Sequence, residues 1–167
     1  ELLGQARSNV KEVSQSLTEH GDIFHAGFVH NSQKEYAEAS ITLALVRGKP
    51  VSTPQALAVE NAAYLNGMGE AAGELRRHLL DRMRRGDLDG CEDILGSMDD
   101  IYNVVVTMDF PDAVTGGLRR TADMVRGVLE RTRSDLTMSL RQRDLAQKME
   151  GFTKVLGAVD TKRRSKG

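Results

Sequence analysis

The sequence predicts an all-α protein, an antiparallel helical bundle, and both its composition and its periodicity indicate this. Of its 167 residues, 40% are hydrophobic but only 4% are aromatic, none is tryptophan and 3 are proline. Such a composition favours helices over strands. Apolar residues recur every three or four positions, whereas no alternation with period two persists. The length fits one domain with its own core, which we expect over residues 1–160.

Two helices are predicted in the first third of the chain, over about residues 2–20 and 22–46. Both carry apolar residues at three- and four-residue spacing. The second ends at Arg47-Gly48-Lys49-Pro50, a basic last turn followed by a glycine and a proline that stop a helix. A further single turn is predicted at Thr53-Pro54, because threonine caps a helix well and proline suits its first position.

Three longer helices are predicted over about residues 61–85, 88–108 and 113–150, with a weaker amphipathic piece to 159. Gly86-Asp87 and Phe110-Pro111-Asp112 form the turns between them. The charged end of the chain, residues 161–167, is predicted to be a mobile basic tail. The expected core-facing residues are Leu65, Met68, Ala72, Leu75, Leu79 and Met83 in the third helix and Ile94, Met98, Ile101, Val105 and Met108 in the fourth.

Charge and cysteine content exclude several classes of protein. The net charge of -1 excludes binding to polyanions by bulk charge, so any contact with nucleic acid must come from a local patch. The one cysteine, Cys91, excludes a disulfide framework and a cysteine-based zinc site, and a free thiol fits a reducing cytoplasm. No apolar run approaches the roughly 20 residues of a membrane span, and no signal peptide is visible. We therefore expect a cytoplasmic protein without a membrane partner.

Two glutamates of the second predicted helix, Glu35 and Glu38, lie on a stripe that begins with Phe24 and Phe28. We interpret this stripe as core-facing. A carboxylate there is costly unless it is paired, protonated or bound to a metal. Lys34 lies about a quarter-turn away on the wheel, so the stripe itself supplies no cation. The pattern predicts that both glutamates need an external partner.

The third helix carries a second pair, Glu70 and Glu74, whose four-residue spacing places them side by side. Small residues surround this pair. Each glycine in a helix interior costs about 1 kcal/mol relative to alanine, so we expect another backbone or a substrate to come close here. The small residues are Gly67, Gly69, Ala71, Ala72 and Gly73.

Together the two pairs would offer a cage of four carboxylates to a hard divalent cation. Mg²⁺ is expected, with Mn²⁺ as an alternative, because the ligands are all oxygen. Such an ion lowers the pKa of a bound water and neutralises charge on a phosphate. Residue patterns alone leave open that these are solvated glutamates, above all Glu70 and Glu74, which lie opposite the apolar stripe of their helix.

Arginines are the candidate phosphate ligands, because their guanidinium forks match phosphate oxygens. The alternative is that they form solvated ion pairs with acids such as Asp123, Glu130 and Asp135. The first group of candidates is Arg76, Arg77, Arg119 and Arg120, and the second is Arg126, Arg131 and Arg133.

Several segments resemble the translin/Trax family, in order and with matching spacing over about residues 33–145. They are Lys34-Glu35-Tyr36-Ala37-Glu38-Ala39, Tyr64-Leu65-Asn66-Gly67, Glu70-Ala71-Ala72-Gly73-Glu74-Leu75-Arg76-Arg77, Asp109-Phe110-Pro111-Asp112-Ala113 and Gly117-Leu118-Arg119-Arg120. The resemblance implies an all-α fold, binding of RNA or single-stranded DNA, and assembly into hollow multimers, typically octamers. It suggests a prokaryotic or archaeal homologue acting as a homo-oligomer.

The resemblance also implies an activity. The Trax branch carries an acidic metal site that cleaves RNA, and its acids correspond here to Glu35, Glu38, Glu70 and Glu74, although the Glu70 position is more often Asp. The resulting hypothesis is a Mg²⁺-dependent endoribonuclease, a phosphodiester hydrolase that cleaves single-stranded RNA inside the assembly. Two alternatives stay open: a translin-like nucleic-acid-binding protein without catalysis, and a helical module that serves only oligomerisation.

Overall fold

The computed structural model describes residues 1–17, 19–25 and 27–164, and only the backbone of residues 158–164. Within these ranges it contains eight helices and no strand, which confirms the all-α prediction. The helices are α1 (Leu2–Ser16), α2 (Gly21–Phe24), α3 (Phe28–Val46), α4 (Pro54–Leu57), α5 (Asn61–Arg84), α6 (Cys91–Thr107), α7 (Asp112–Thr115) and α8 (Leu118–Arg164).

Glycines divide two of the predicted helices. Gly27 has φ 93°, so the helix predicted over 22–46 splits into α2 and α3. Gly116 and Gly117 have φ 63° and 84°, which separates α7 from α8 within the segment predicted from residue 113. These angles lie in the left-handed region, where glycine pays no Cβ penalty. Apolar periodicity continued across both breaks, which is why it did not reveal them.

The short helix α4 has the predicted N-terminus. The hydroxyl oxygen of Thr53 accepts a hydrogen bond from the backbone N–H of Ala56 at 3.2 Å, and Pro54 occupies the first helical position. Threonine thereby satisfies one of the N–H groups that a helix start leaves unpaired. This turn lies within the connection between α3 and α5.

Helix α5 lies at the centre of the bundle and packs against α3, α6 and α8. Its apolar stripe faces inward as predicted, with Leu75 and Leu79 fully buried. Met98 of α6 is fully buried beside it, whereas Met108, also predicted to face inward, is exposed. The other fully buried large residues include Ile41 of α3 and Leu136 of α8. The core is therefore aliphatic, as the composition predicts.

A buried asparagine joins α5 to the α7–α8 junction. The amide nitrogen of Asn66 donates to the backbone oxygen of Thr115 at 2.7 Å and to that of Ala62 at 2.9 Å. Its amide oxygen accepts a hydrogen bond from the Thr121 hydroxyl at 2.8 Å. A buried amide whose donors and acceptor all have hydrogen-bond partners fits only one arrangement of the helices around it. It holds the α7–α8 junction against the N-terminal part of α5.

Helix α8 continues past the bundle. Beyond Leu140 its described side chains are almost all exposed, and its backbone is helical to Arg164. Residues 161–164 of the predicted tail belong to this helix, and residues 165–167 lie outside the described part of the chain, so the mobility of the tail stays a prediction. Among the described residues, none of the helices contains an apolar stretch of the length that a membrane span requires.

Candidate metal centre

The backbones of α3 and α5 touch at Gly67. A Cβ atom at this position would lie 2.5 Å from the carbonyl oxygen of Lys34 and 3.0 Å from the backbone nitrogen of Glu38. Gly69 packs against α8, since a Cβ atom there would collide with the side chain of Thr121. Of the three glycines in α5, Gly73 alone has open space, with nothing within 4 Å of a Cβ atom. The predicted close approach of another backbone to the small residues of this helix is therefore present.

This close approach brings three of the four candidate glutamates together. One carboxylate oxygen each of Glu35, Glu38 and Glu70 lies within 4.8 Å of the other two. Glu38 and Glu70 are half-buried, while the side chain of Glu35 is 68% exposed. Oxygens at this spacing, contributed by two helices, can take a single hard cation between them. We call these three residues the acidic cluster.

Glu74, the fourth candidate, lies one turn beyond Glu70 on α5 and lines a surface cleft together with Glu35 and Glu38. It is exposed, and its Oε2 atom is 3.9 Å from Nη1 of Arg77. It does not join the three converging oxygens. Its charge still reaches Glu38, where it contributes to the raised pKa of that carboxyl. The structure therefore gives Glu74 a peripheral position rather than one equal to the others.

The prediction that Glu35 and Glu38 lie on a core-facing stripe is wrong. Phe28, near its start, is 73% exposed, and Glu35 is mostly exposed as well. The two glutamates flank the buried face of α3 instead of lying on it. That face consists of Val29, Gln33, Tyr36, Ala37 and Ile41. The acids converge because Gly67 lets α5 approach, and a helical wheel of α3 alone cannot show that.

The sequence also predicts that both glutamates need an external partner because their stripe supplies no cation, and for Glu35 this is wrong. The ammonium nitrogen of Lys34 is 2.7 Å from Oε1 of Glu70 and 3.6 Å from Oε1 of Glu35. The lysine side chain is only 19% exposed. The hydrogen bond to Glu70 holds the pKa of Lys34 above its ordinary value. Its quarter-turn offset on α3 directs it to α5, so its role depends on which helix lies opposite.

The surroundings of Glu38 in the acidic cluster destabilise its charged form. Burial raises the pKa of this carboxyl above its ordinary value, and the negative charges of Glu35, Glu70 and Glu74 raise it further. Lys34 opposes this only in part. At neutral pH the charged form of Glu38 is thus disfavoured by its surroundings, and a second positive charge would relieve it.

The raised pKa of Glu38 predicts how Glu38→Gln changes the free energy of unfolding as a function of pH. A folded-state pKa above the unfolded value means that folding takes up protons, so the free energy of unfolding falls as pH rises through that window. Glutamine cannot titrate. In EDTA at pH 7 we therefore expect the variant to be more stable than the parent, and this advantage to vanish below the ordinary glutamate pKa of 4.5. Urea unfolding across pH, at one protein concentration, measures it. A variant that is less stable at pH 7 contradicts the argument.

Two cavities adjoin the acidic cluster. One, of about 680 Å³, is lined by Glu35, Glu38 and Glu74 together with Arg77 and other residues of α3 and α5. Thr42 also lines this cavity, and its hydroxyl oxygen is buried without a hydrogen-bond partner in the described residues. The other, of about 710 Å³, lies on the far side of Lys34 and Glu70 and is lined by His25, His30, Asn31, Arg120 and Thr121 among others. We call them the acid cleft and the basic-side cavity.

Known proteins share this architecture. AfC3PO superposes with a TM-score of 0.75 and 30% sequence identity, over 84% of this chain and 73% of AfC3PO. The structure of AfC3PO in complex with duplex RNA gives 0.76 at the same identity and coverage. The chain belongs to the translin/Trax family. NeC3PO in its apo form, at 18% identity and a TM-score of 0.72 over 82% of this chain and 71% of that one, shows the same fold.

Sequence comparison places this translin/Trax chain beside an uncharacterised protein of Methanocaldococcus jannaschii. The two are 28% identical over 125 residues, which is 74% of this chain and 56% of that protein. The chain thus spans about half the length of this relative. No family model matches the chain. The family assignment therefore depends on the agreement in structure with AfC3PO.

Two of the four arginines first proposed as phosphate ligands are engaged within this translin/Trax fold. Arg76 donates to Oδ2 of Asp135 at 2.8 Å and to the hydroxyl of Thr132 at 3.0 Å, which ties α5 to α8. Arg119 pairs with Asp109 at 2.9 Å. Both arginines therefore form ion pairs, which was the alternative to phosphate binding. A phosphate would have to compete with an existing carboxylate partner at both positions.

Arg77 and Arg120 are placed differently. Arg77 is 77% exposed and lines the acid cleft, and its one ion pair within the described part of the chain is the long contact to Glu74. Arg120 is exposed at the mouth of the basic-side cavity. Of the second group of arginines, Arg126 pairs with Asp123 at 3.5 Å, as the alternative predicted. Arg77 and Arg120 are therefore the arginines that flank the acidic cluster on its two sides.

Proposed function

We propose that the protein is a metal-dependent endoribonuclease, a phosphodiester hydrolase that cleaves single-stranded RNA inside a hollow homo-oligomer. The observation that carries this proposal is the convergence of Glu35, Glu38 and Glu70 within 4.8 Å. Membership of the translin/Trax family supports it, as does the complex of the related AfC3PO with duplex RNA.

The donor set of the acidic cluster fits Mg²⁺ or Mn²⁺. Its three donors are carboxylates, and no histidine or cysteine joins them among the described residues. Hard cations of this kind prefer such oxygens. Glu35, Glu38 and Glu70 would hold the ion, and Glu74 would add negative charge at the edge. A bound ion would supply acidity to a coordinated water and positive charge to a phosphate.

The chain's own residues would bind and orient the substrate. The exposure of Glu35 leaves the acidic cluster open to solvent on the side of the acid cleft, where a polymer can enter. Arg77 offers a guanidinium fork to the phosphate backbone on that side. Burial of Glu38 keeps part of the cluster away from water, which strengthens its interaction with charge.

The experiment that tests the proposal is cleavage of an end-labelled single-stranded RNA in Mg²⁺ or Mn²⁺, with EDTA as the control. We expect cuts only with a divalent ion, leaving a 5′-phosphate and a 3′-hydroxyl because water is the nucleophile. Duplex RNA and single-stranded DNA of the same sequence measure the substrate preference. Cleavage that continues in EDTA would exclude the metal-dependent mechanism.

A second function, nucleic-acid binding without catalysis, is favoured by Lys34. Its ammonium already neutralises part of the acidic cluster at 2.7 Å from Glu70, so the acids have a partner without a metal. In that case the chain would retard RNA in a gel at low salt but leave it intact in both Mg²⁺ and Mn²⁺. Failure to retard any nucleic acid would instead indicate a module for oligomerisation only.

The homo-oligomer, an octamer by analogy with the family, is supported by an apolar face on α8. Exposed apolar residues recur there at intervals of seven, four, three and four positions, as in a helix that packs against another helix. An isolated domain seldom exposes so much apolar side chain on one helix. The residues are Met138, Leu145, Met149, Phe152 and Leu156, each between 52% and 65% exposed.

We expect Phe152→Glu to dissociate the assembly. The change places a charge in the middle of the apolar face of α8, where burial against a second copy would leave it unpaired. Light scattering coupled to size exclusion measures the mass. Gln147→Glu adds the same charge at an exposed polar position of α8 and should leave the mass unchanged. Equal masses for both variants and the parent would show that this face is not the interface.

A further inference from the structure

We propose that Lys34 is a built-in counter-ion, which holds the acidic cluster together without a metal, competes with the metal for Glu70, and binds a substrate phosphate once displaced. The proposal rests on the metal-dependent function proposed above. It concerns the state of the cluster before the ion binds and the destination of the lysine afterwards.

The position of Lys34 supports the first part. Its ammonium lies 2.7 Å from Glu70 on α5 and 3.6 Å from Glu35 on its own helix. Without it, the three carboxylates would face one another across the α3–α5 contact with no opposite charge. A half-buried lysine bound to two acids therefore joins the two helices at the same point where Gly67 lets them touch.

The competition follows from geometry and charge. The oxygen that Lys34 contacts on Glu70 belongs to one of the three carboxylates that converge. An ammonium and a dication that share this oxygen would lie a few ångströms apart and repel each other. Both cannot occupy the cluster at full strength. We therefore infer that Lys34 is released from Glu70 as the carboxylates turn to the ion.

The basic-side cavity gives the displaced ammonium a destination. Lys34 and Glu70 both line it, so the four-carbon stem of the lysine can swing there from its present position. Arg120 and His30 also line this cavity. Arg120 has no ion pair among the described residues. Glu60 and Asp112 also line it, but they are not bound to Lys34 or Arg120. Two cations next to the cluster fit the phosphate that adjoins the one being cut.

Calorimetric titration with Mn²⁺ tests this through Lys34→Met, which keeps the apolar stem and removes the charge. We expect the variant to bind Mn²⁺ about tenfold more tightly than the parent, because no cation has to be displaced. Mn²⁺ should also raise its melting temperature more. Its affinity for a non-cleavable single-stranded RNA in Mn²⁺ should fall severalfold, because one phosphate contact is lost.

Three further variants make the result specific. Lys34→Arg keeps the positive charge and should bind Mn²⁺ like the parent, whereas Lys34→Gln is a second neutral replacement and should follow Lys34→Met. Lys49→Met removes an exposed lysine beyond the end of α3 and should change nothing.

The outcomes separate this proposal from the function on which it rests. Unchanged or weaker Mn²⁺ binding in both neutral variants overturns the counter-ion role even if the parent cleaves RNA. Tighter Mn²⁺ binding together with unchanged RNA affinity overturns the second part, contact with phosphate. If the parent binds no Mn²⁺, or if Glu38→Gln binds it as the parent does, the metal centre itself is refuted and the counter-ion role with it.

Discussion

Replacement of Glu38 by glutamine should lower the rate of RNA cleavage by about a hundredfold to a thousandfold, the range expected when one group that stabilises charge in a reacting site is lost. Glutamine has the same shape but no charge, so the cluster would keep its geometry and lose one of its three carboxylates. Single-turnover cleavage of a labelled single-stranded RNA at saturating Mg²⁺ measures the effect. Because the variant without an ion should already be more stable at neutral pH than the parent without an ion, unfolding cannot explain the loss.

Glu130→Gln provides the matched control for this result. Glu130 is exposed on α8, away from both cavities that adjoin the cluster, and the change is chemically identical. We expect the parent rate. If Glu38→Gln also cleaves at the parent rate while it keeps the parent mass, the acidic cluster is not the catalytic centre, and nucleic-acid binding without catalysis becomes the better proposal.

Gly67→Ala should destabilise the protein by about 2 kcal/mol, within the range for overpacking a tight core. The added methyl group would lie 2.5 Å from the carbonyl oxygen of Lys34 and 3.0 Å from the nitrogen of Glu38. These are backbone atoms and cannot swing away, so the two helices must separate. Since Glu70 is one turn from Gly67, the separation would also carry its carboxylate away from Glu35 and weaken Mn²⁺ binding.

The control for this prediction lies on the same helix. Gly73 has nothing within 4 Å of its would-be Cβ, so Gly73→Ala should stabilise the chain by about 0.5–1 kcal/mol through helix propensity alone. Chemical unfolding of both variants at one protein concentration, together with Mn²⁺ titration, gives the comparison. If both substitutions changed stability in the same direction, the close contact at Gly67 would not be what limits this position.

The fold was largely predictable from the sequence because most of the helices carry regular apolar stripes. The stripe through Leu75 and Leu79 is buried as expected, and Thr53 caps its short helix in the predicted way. The breaks at Gly27 and Gly116 were missed, because a glycine inside a helical pattern is ordinarily tolerated and only its positive φ reveals the turn. The exposure of Met108 depends on where α6 ends, which periodicity places only within a few residues.

Most residues of the site were predictable from the sequence, but the reason why they converge was not. Glu35, Glu38 and Glu70 do converge, and the small residues of α5 do allow a close approach. Phe28 is exposed rather than part of a core-facing stripe, and the contact of Lys34 with α5 is invisible on a helical wheel, which describes one helix at a time. Which side chain of α3 meets α5 depends on the rotation between two packed helices, and this information is not contained in either sequence segment alone.

The close contact of α3 and α5 has a consequence for assemblies that contain two kinds of subunit. Every carboxylate of the cluster comes from a single chain, so an inactive neighbour removes none of the ligands from an intact one. Hybrids of parent and Glu38→Gln chains should therefore lose turnover in simple proportion to the dose of the variant. If a centre were shared between subunits, a small fraction of inactive copies would instead lower the turnover more than in proportion.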